Sequence, residues 1–97
     1  MKTTSVIVPW PQGLHLRPAA RLARMAQGFS SKIHLQFDSM VADARSALSL
    51  LLLSASPGTT LNLSVVGEDE HEAMAALENF FSGPETEEPE AQPGETA

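Results

Sequence analysis

Two stretches alternate apolar and polar residues with the two-residue period of a half-buried strand. They are Ile33, Leu35 and Phe37 against His34 and Gln36, and Leu61, Leu63 and Val65 against Thr60, Asn62 and Ser64. Thr3 to Val8 alternates more weakly but is rich in β-branched residues, which predicts a first strand ended by Pro9-Trp10-Pro11. Asp38-Ser39 is a turn that returns the chain as a further strand, Met40 to Ala44. From Leu16 to Gln27 the period changes: Ala19, Leu22, Ala23 and Ala26 recur at helical spacing, and Gly28 is expected to close this helix in the left-handed region. Ser46 is placed to cap a short helix over Ala47 to Leu53. That helix is apolar on more than one face, so some of Ala47, Leu48 and Leu51 are expected to be exposed. After Gly67, the acidic Glu68, Asp69, Glu70 and Glu72 open a last helix, which buries Met74, Leu77 and Phe81 with Ala73 and Phe80 alongside. The order β-α-β-β-α-β-α, with no internal repeat, predicts a two-layer α+β domain: a four-stranded sheet with three helices on one face. Trp10 is expected to cover apolar surface at the end of the first strand.

Charge changes the picture only at the end of the chain. The net charge is −6, yet residues 1–83 hold six basic and seven acidic side chains; Glu85, Glu87, Glu88, Glu90 and Glu95 follow with no basic residue among them. Residues 1–83 are read as one domain, and 84–97, dominated by Pro, Glu, Gly, Gln and Thr, as an acidic disordered tail or the stub of a linker. A nearly neutral body excludes nucleic-acid binding, which needs a basic stripe. Without cysteine there is no disulfide framework or thiol chemistry, and the three scattered histidines give no metal-ligand spacing. The longest mainly apolar run, Ala47 to Ala55, is about half a membrane span, and no basic-then-apolar leader opens the chain. A monomeric cytoplasmic protein without membrane insertion, metal or cofactor is expected.

Chemistry concentrates in Gly13-Leu14-His15-Leu16-Arg17-Pro18-Ala19-Ala20. Pro18 belongs in the first turn of a helix, where its missing N–H had no partner to lose, so the helix starts near Leu16 with His15 beside its first amides. Those amides and the macrodipole favour an anion. The same positive end, with Arg17, disfavours imidazolium and leaves His15 a lone pair for attack. The Arg17 guanidinium fork suits phosphate oxygens. Arg17, Arg21 and Arg24 follow one another at i, i+4 and i+7, a basic face suited to acidic partners.

Gly13-Leu14-His15-Leu16-Arg17-Pro18-Ala19 closely resembles the active-centre pattern G-L-H-x-R-P-A of HPr, the histidine-containing phosphocarrier family of the bacterial phosphotransferase system. The resemblance runs on to about Phe81 through Gln27-Gly28-Phe29, Ala44-Arg45-Ser46, Pro57-Gly58-Thr59 and Gly67-Glu68-Asp69-Glu70. It implies an open-faced β-sandwich with an antiparallel sheet. It also implies that His15 accepts a phosphoryl group from enzyme I, charged by phosphoenolpyruvate, and passes it to a IIA-type protein. Arg17 then stabilises charge, the Leu16 and Arg17 amides bind phosphate, and Ala20, Arg21, Arg24, Ala47, Leu48 and Leu51 dock partners. In some branches a regulatory kinase phosphorylates the serine at the position of Ser46. Sugar-transport members usually have glycine where Ser54 stands, and Leu50 to Gly58 looks more like the nitrogen-regulatory branch. Two alternatives follow: a regulatory protein that binds targets according to its phosphorylation state, and an HPr domain of a larger multiphosphoryl transfer protein.

Overall fold

The computed structural model describes residues 1–82; the acidic segment read as a tail, and Gly83 before it, lie outside them. Four strands, β1 (Lys2–Ile7), β2 (Lys32–Phe37), β3 (Met40–Asp43) and β4 (Thr60–Val66), form one sheet in the order β1-β4-β2-β3, every neighbouring pair antiparallel. Helices α1 (Leu16–Gln27), α2 (Ala47–Leu52) and α3 (Glu70–Ser82) cover one face. The strand period explains why. Across the register Val6↔Leu61, Leu63↔Leu35, Ile33↔Val65 and Leu35↔Ala42, the apolar side chains share one face and are all buried. Ser5↔Asn62, Asn62↔Gln36, Ser64↔His34 and His34↔Asp43 line the other face, which carries no helix. Leu22, Ala23 and Ala26 of α1, Leu50 of α2 and Ala73, Leu77 and Phe81 of α3 close the core from the helical side. Among the described residues no helix is long and apolar enough to cross a membrane.

Two expectations need correction. Gly28 is right-handed (φ −80, ψ −6): its N–H donates to Met25 O at 3.0 Å and the Phe29 N–H to Ala26 O at 3.1 Å, so α1 ends in a tightened turn that needs no positive φ. Phe37 has the core-face parity but is 36% exposed, because it pairs with Met40 at the hairpin tip, past the helical cover. In α2, Leu48 is 67% exposed, as expected of some of these residues; Ala47 and Leu51 are half-buried against the core, and Leu52 is 61% exposed.

The acidic run before α3 does more than complement a dipole. Asp69 lies just ahead of the helix and accepts hydrogen bonds from the Ser30 N–H (2.8 Å), the Ser31 N–H (2.9 Å) and the Ser31 hydroxyl. These bonds fasten the α1–β2 loop to the start of α3. The Ser31 hydroxyl first, then the Ser30 amide, hold the Asp69 carboxyl below its ordinary range against a smaller opposing effect of desolvation. A depressed folded value means that the bonds stabilise fully above the unfolded aspartate value of about 3.9 and are lost as pH falls through the lower folded value. Asp69→Asn is therefore expected to flatten the loss of stability below about pH 4 without abolishing it. The remainder belongs to Glu70, held low chiefly by the Gly67 N–H at 3.1 Å. Urea midpoints measured across that range check this; an unchanged slope in the variant rules it out.

Candidate phosphoryl-transfer site

The loop ahead of α1 is built by backbone bonds. The Gly13 N–H donates to Trp10 O, the Leu14 N–H to Ala55 O and the His15 N–H to Gly13 O, each at 2.9 Å. Gly13 itself has φ +78, and an added Cβ would sit 2.5 Å from Ala55 O, so a glycine is needed both for the turn and for the close approach. Trp10 anchors the loop from below. It is 2% exposed, and its ring centroid lies 5.4 Å from Phe80 and 5.2 Å from Phe81 at the end of α3. It therefore covers apolar surface, as read from the sequence.

His15 is the N-cap residue of α1, extended at φ −95, ψ −168, and its side chain makes no capping bond. Its carbonyl takes the Ala19 N–H at 3.0 Å, and Pro18 has no N–H to satisfy. Leu16 and Arg17 thus carry the first-turn amides that the helix does not use for itself. No acidic side chain stands in that turn, so the positive end of α1 is not neutralised by its own residues. The His15 ring is half-buried, and its Nε2 exposes less than 1 Å². That nitrogen is closed to solvent.

Arg17, Ala20 and Arg24 are exposed and Arg21 is half-buried, all on the face of α1 turned from the core stripe. Leu16, 65% exposed, stands at the head of that face, and α2 packs beside α1 with Leu48 and Leu52 outward. An apolar and basic surface therefore borders His15. Of the residues read as docking positions, Leu48 is exposed, while Ala47 and Leu51 are half-buried against the core; Leu52, not among them, is also exposed. Ser46 caps α2, its hydroxyl accepting the Ser49 N–H at 3.2 Å. Ser54, where glycine was noted as usual, has φ +51, a left-handed conformation that glycine adopts at less cost.

Residues 2–83 match the family model described as the PTS HPr component phosphorylation site. The chain belongs to the HPr family of the phosphotransferase system. Phosphocarrier protein HPr of Xylella fastidiosa (strain 9a5c) is 38% identical over 76 residues, which cover 78% of this chain and 85% of that protein. The crystal structure of HPr-C-His from Thermoanaerobacter tengcongensis superposes with a TM-score of 0.81 at 35% identity, covering 84% of this chain and 92% of that one. The phosphoryl donor subunit DhaM of the PEP-dependent dihydroxyacetone kinase from Providencia stuartii is 37% identical over 75 residues, 77% of this chain but 16% of that protein. HPr-like sequence thus also stands within a much longer polypeptide.

Proposed function

We propose that this phosphocarrier holds its phosphoryl group on Nδ1 of His15. The group comes from phosphorylated enzyme I and goes to a histidine of a IIA-type protein. The observation that carries the reading is the placing of His15 as N-cap of a helix whose first turn contains Arg17, Pro18 and no carboxylate. Neutral imidazole attacks phosphorus with its Nδ1 lone pair, the new P–N bond forms, and the donor's bond to phosphorus breaks with its electron pair returning to the donor. The phosphoryl oxygens gain the Leu16 and Arg17 amides and the Arg17 fork as hydrogen-bond donors. Discharge runs the same step backwards onto the acceptor. The chain needs no metal or cofactor for this and acts as a monomer in the cytoplasm. The arginine face, with Leu16 and Leu48, meets the acidic partners; Ser46 is a site for a regulatory kinase.

A second reading rests on the DhaM likeness: the same domain within a larger multiphosphoryl transfer protein. The leucine-rich α2 and Ser54 favour nitrogen-type regulation over sugar transport as the pathway served. Incubation with enzyme I and labelled phosphoenolpyruvate is expected to give one acid-labile phosphoryl group per chain. A nitrogen-type IIA protein is then expected to discharge it faster than a sugar-type one. No label at all defeats the carrier reading, and faster discharge by the sugar-type protein reverses the choice of pathway.

A further inference from the structure

On the carrier reading of His15, we propose that Trp10 is a positioning residue for the phosphoryl acceptor: its ring ties the C-terminal end of α3 to the loop that presents the imidazole. The sequence makes such a tie necessary. Pro9 and Pro11 flank Trp10 and have no N–H, so the chain between β1 and Gly13 is short of backbone donors that could fix it. On the strand side Val8 is held firmly, its N–H donating to Thr59 O at 2.9 Å and its carbonyl accepting the Gly58 N–H at 2.8 Å. Beyond it, the side chain of Trp10 supplies the hold that the two prolines cannot.

The rings fix angle as well as distance. Trp10 is buried, edge-on to Phe80 at 63° and tilted to Phe81 at 42°, and Phe80 and Phe81 themselves meet at 79° with centroids 5.8 Å apart. Three mutually inclined aromatic rings leave little freedom for any one of them to slide. From the indole, the support reaches the acceptor through two hydrogen bonds. The Trp10 carbonyl accepts the Gly13 N–H and the Gly13 carbonyl accepts the His15 N–H, each at 2.9 Å. A shift of the indole therefore moves the peptide that carries His15. The Ala55 carbonyl holds Leu14 between them and is a separate support.

The tie bears on transfer more than on encounter. Phe81 is buried and Phe80 half-buried, and both stand apart from the exposed Leu16, Arg17, Arg24 and Leu48 that border the acceptor on α1 and α2. Loss of the ring contact leaves those side chains in place and displaces the imidazole relative to them. Displacement of a reacting atom by about 1 Å costs up to about a hundredfold in rate.

Trp10→Leu is accordingly expected to lower the maximal rate of labelling by enzyme I and phosphoenolpyruvate about tenfold, with the chain concentration at half-maximal rate unchanged. Trp10→Phe, which keeps an aromatic ring, is expected to recover most of that loss. Phe80→Leu, at a half-buried ring whose loss the fold tolerates, is expected to slow labelling about threefold, and the double variant to be no slower than Trp10→Leu alone, because both changes act through one contact. Val65→Ala is the control. It removes buried volume where β4 pairs with Lys2 at the start of β1, and is expected to lower the urea midpoint without changing the labelling rate. Trp10→Leu and Phe80→Leu labelled as fast as the unaltered chain, or slowed no more than Val65→Ala, overturn the positioning role and leave the carrier reading standing. An unaltered chain that takes no label overturns both.

Discussion

His15→Ala is expected to abolish labelling by enzyme I and phosphoenolpyruvate while leaving the fold in place. The two effects separate because the bonds that define the start of α1 run through the backbone. The His15 N–H to Gly13 O and the Ala19 N–H to His15 O survive any side chain at this position, and the imidazole contributes no cap that alanine would forfeit. The variant's stability is expected to fall by no more than about 1 kcal/mol, because the imidazole supplies no cap to α1. His34→Ala and His71→Ala are expected to keep full labelling. His34 lies on the helix-free face of the sheet opposite Asp43 and Ser64. His71 lies between Glu70 and Glu72 in the first turn of α3, where the local charge repels an anionic phosphoryl donor. Phosphate counted per chain, with circular dichroism to verify folding, decides the matter. Label surviving in His15→Ala transfers the assignment to another residue, and label lost in His34→Ala or His71→Ala removes its specificity.

Much of this was legible in the residues, and what was not has identifiable causes. α1 was readable at both ends because Pro18 marks a first turn and the apolar positions recur without a break from Ala19 to Ala26. The alternation in β2 and β4 predicted which side chains are buried, except at Phe37, where parity alone does not reveal where the helical cover stops. The phase of α2 was unreadable from Leu50-Leu51-Leu52-Leu53: a uniform apolar run has no period, so only packing against α1 and β3 decides that Leu50 points in and Leu52 out. Contacts between distant residues left no local trace. Asp69 meets Ser30 and Ser31 across 39 and 38 positions, and Trp10 meets Phe80 and Phe81 across the whole length of the fold. The candidate site was legible as one stretch because its parts are consecutive: His15, Arg17 and Pro18, which sets the helix start, lie within four residues.

Gly13→Ala is expected to destabilise the fold and slow phosphoryl transfer together, because one methyl group disturbs the support of the acceptor loop. Two costs add. Holding an L-residue at φ +78 costs about 1–2 kcal/mol, and forcing a methyl into a closed contact costs about 1–3 kcal/mol more. The contact cannot relax cheaply, since the nearest atom is the Ala55 carbonyl oxygen at 2.5 Å, with Ser56 Cα at 3.3 Å and Pro57 Cδ at 3.4 Å. That same oxygen accepts the Leu14 N–H, so retreat of residues 55–57 breaks the bond that positions the residue next to His15. Gly58 supplies the comparison: its φ is +84, but a Cβ there meets nothing within 4 Å, so Gly58→Ala isolates the backbone cost. The urea midpoint is expected to fall about twice as far for Gly13→Ala as for Gly58→Ala, with unchanged m, and only Gly13→Ala is expected to slow labelling. Equal midpoints in the two variants mean that the Ala55 contact yields without strain. An unchanged labelling rate in Gly13→Ala means that the loop does not position His15 through Leu14.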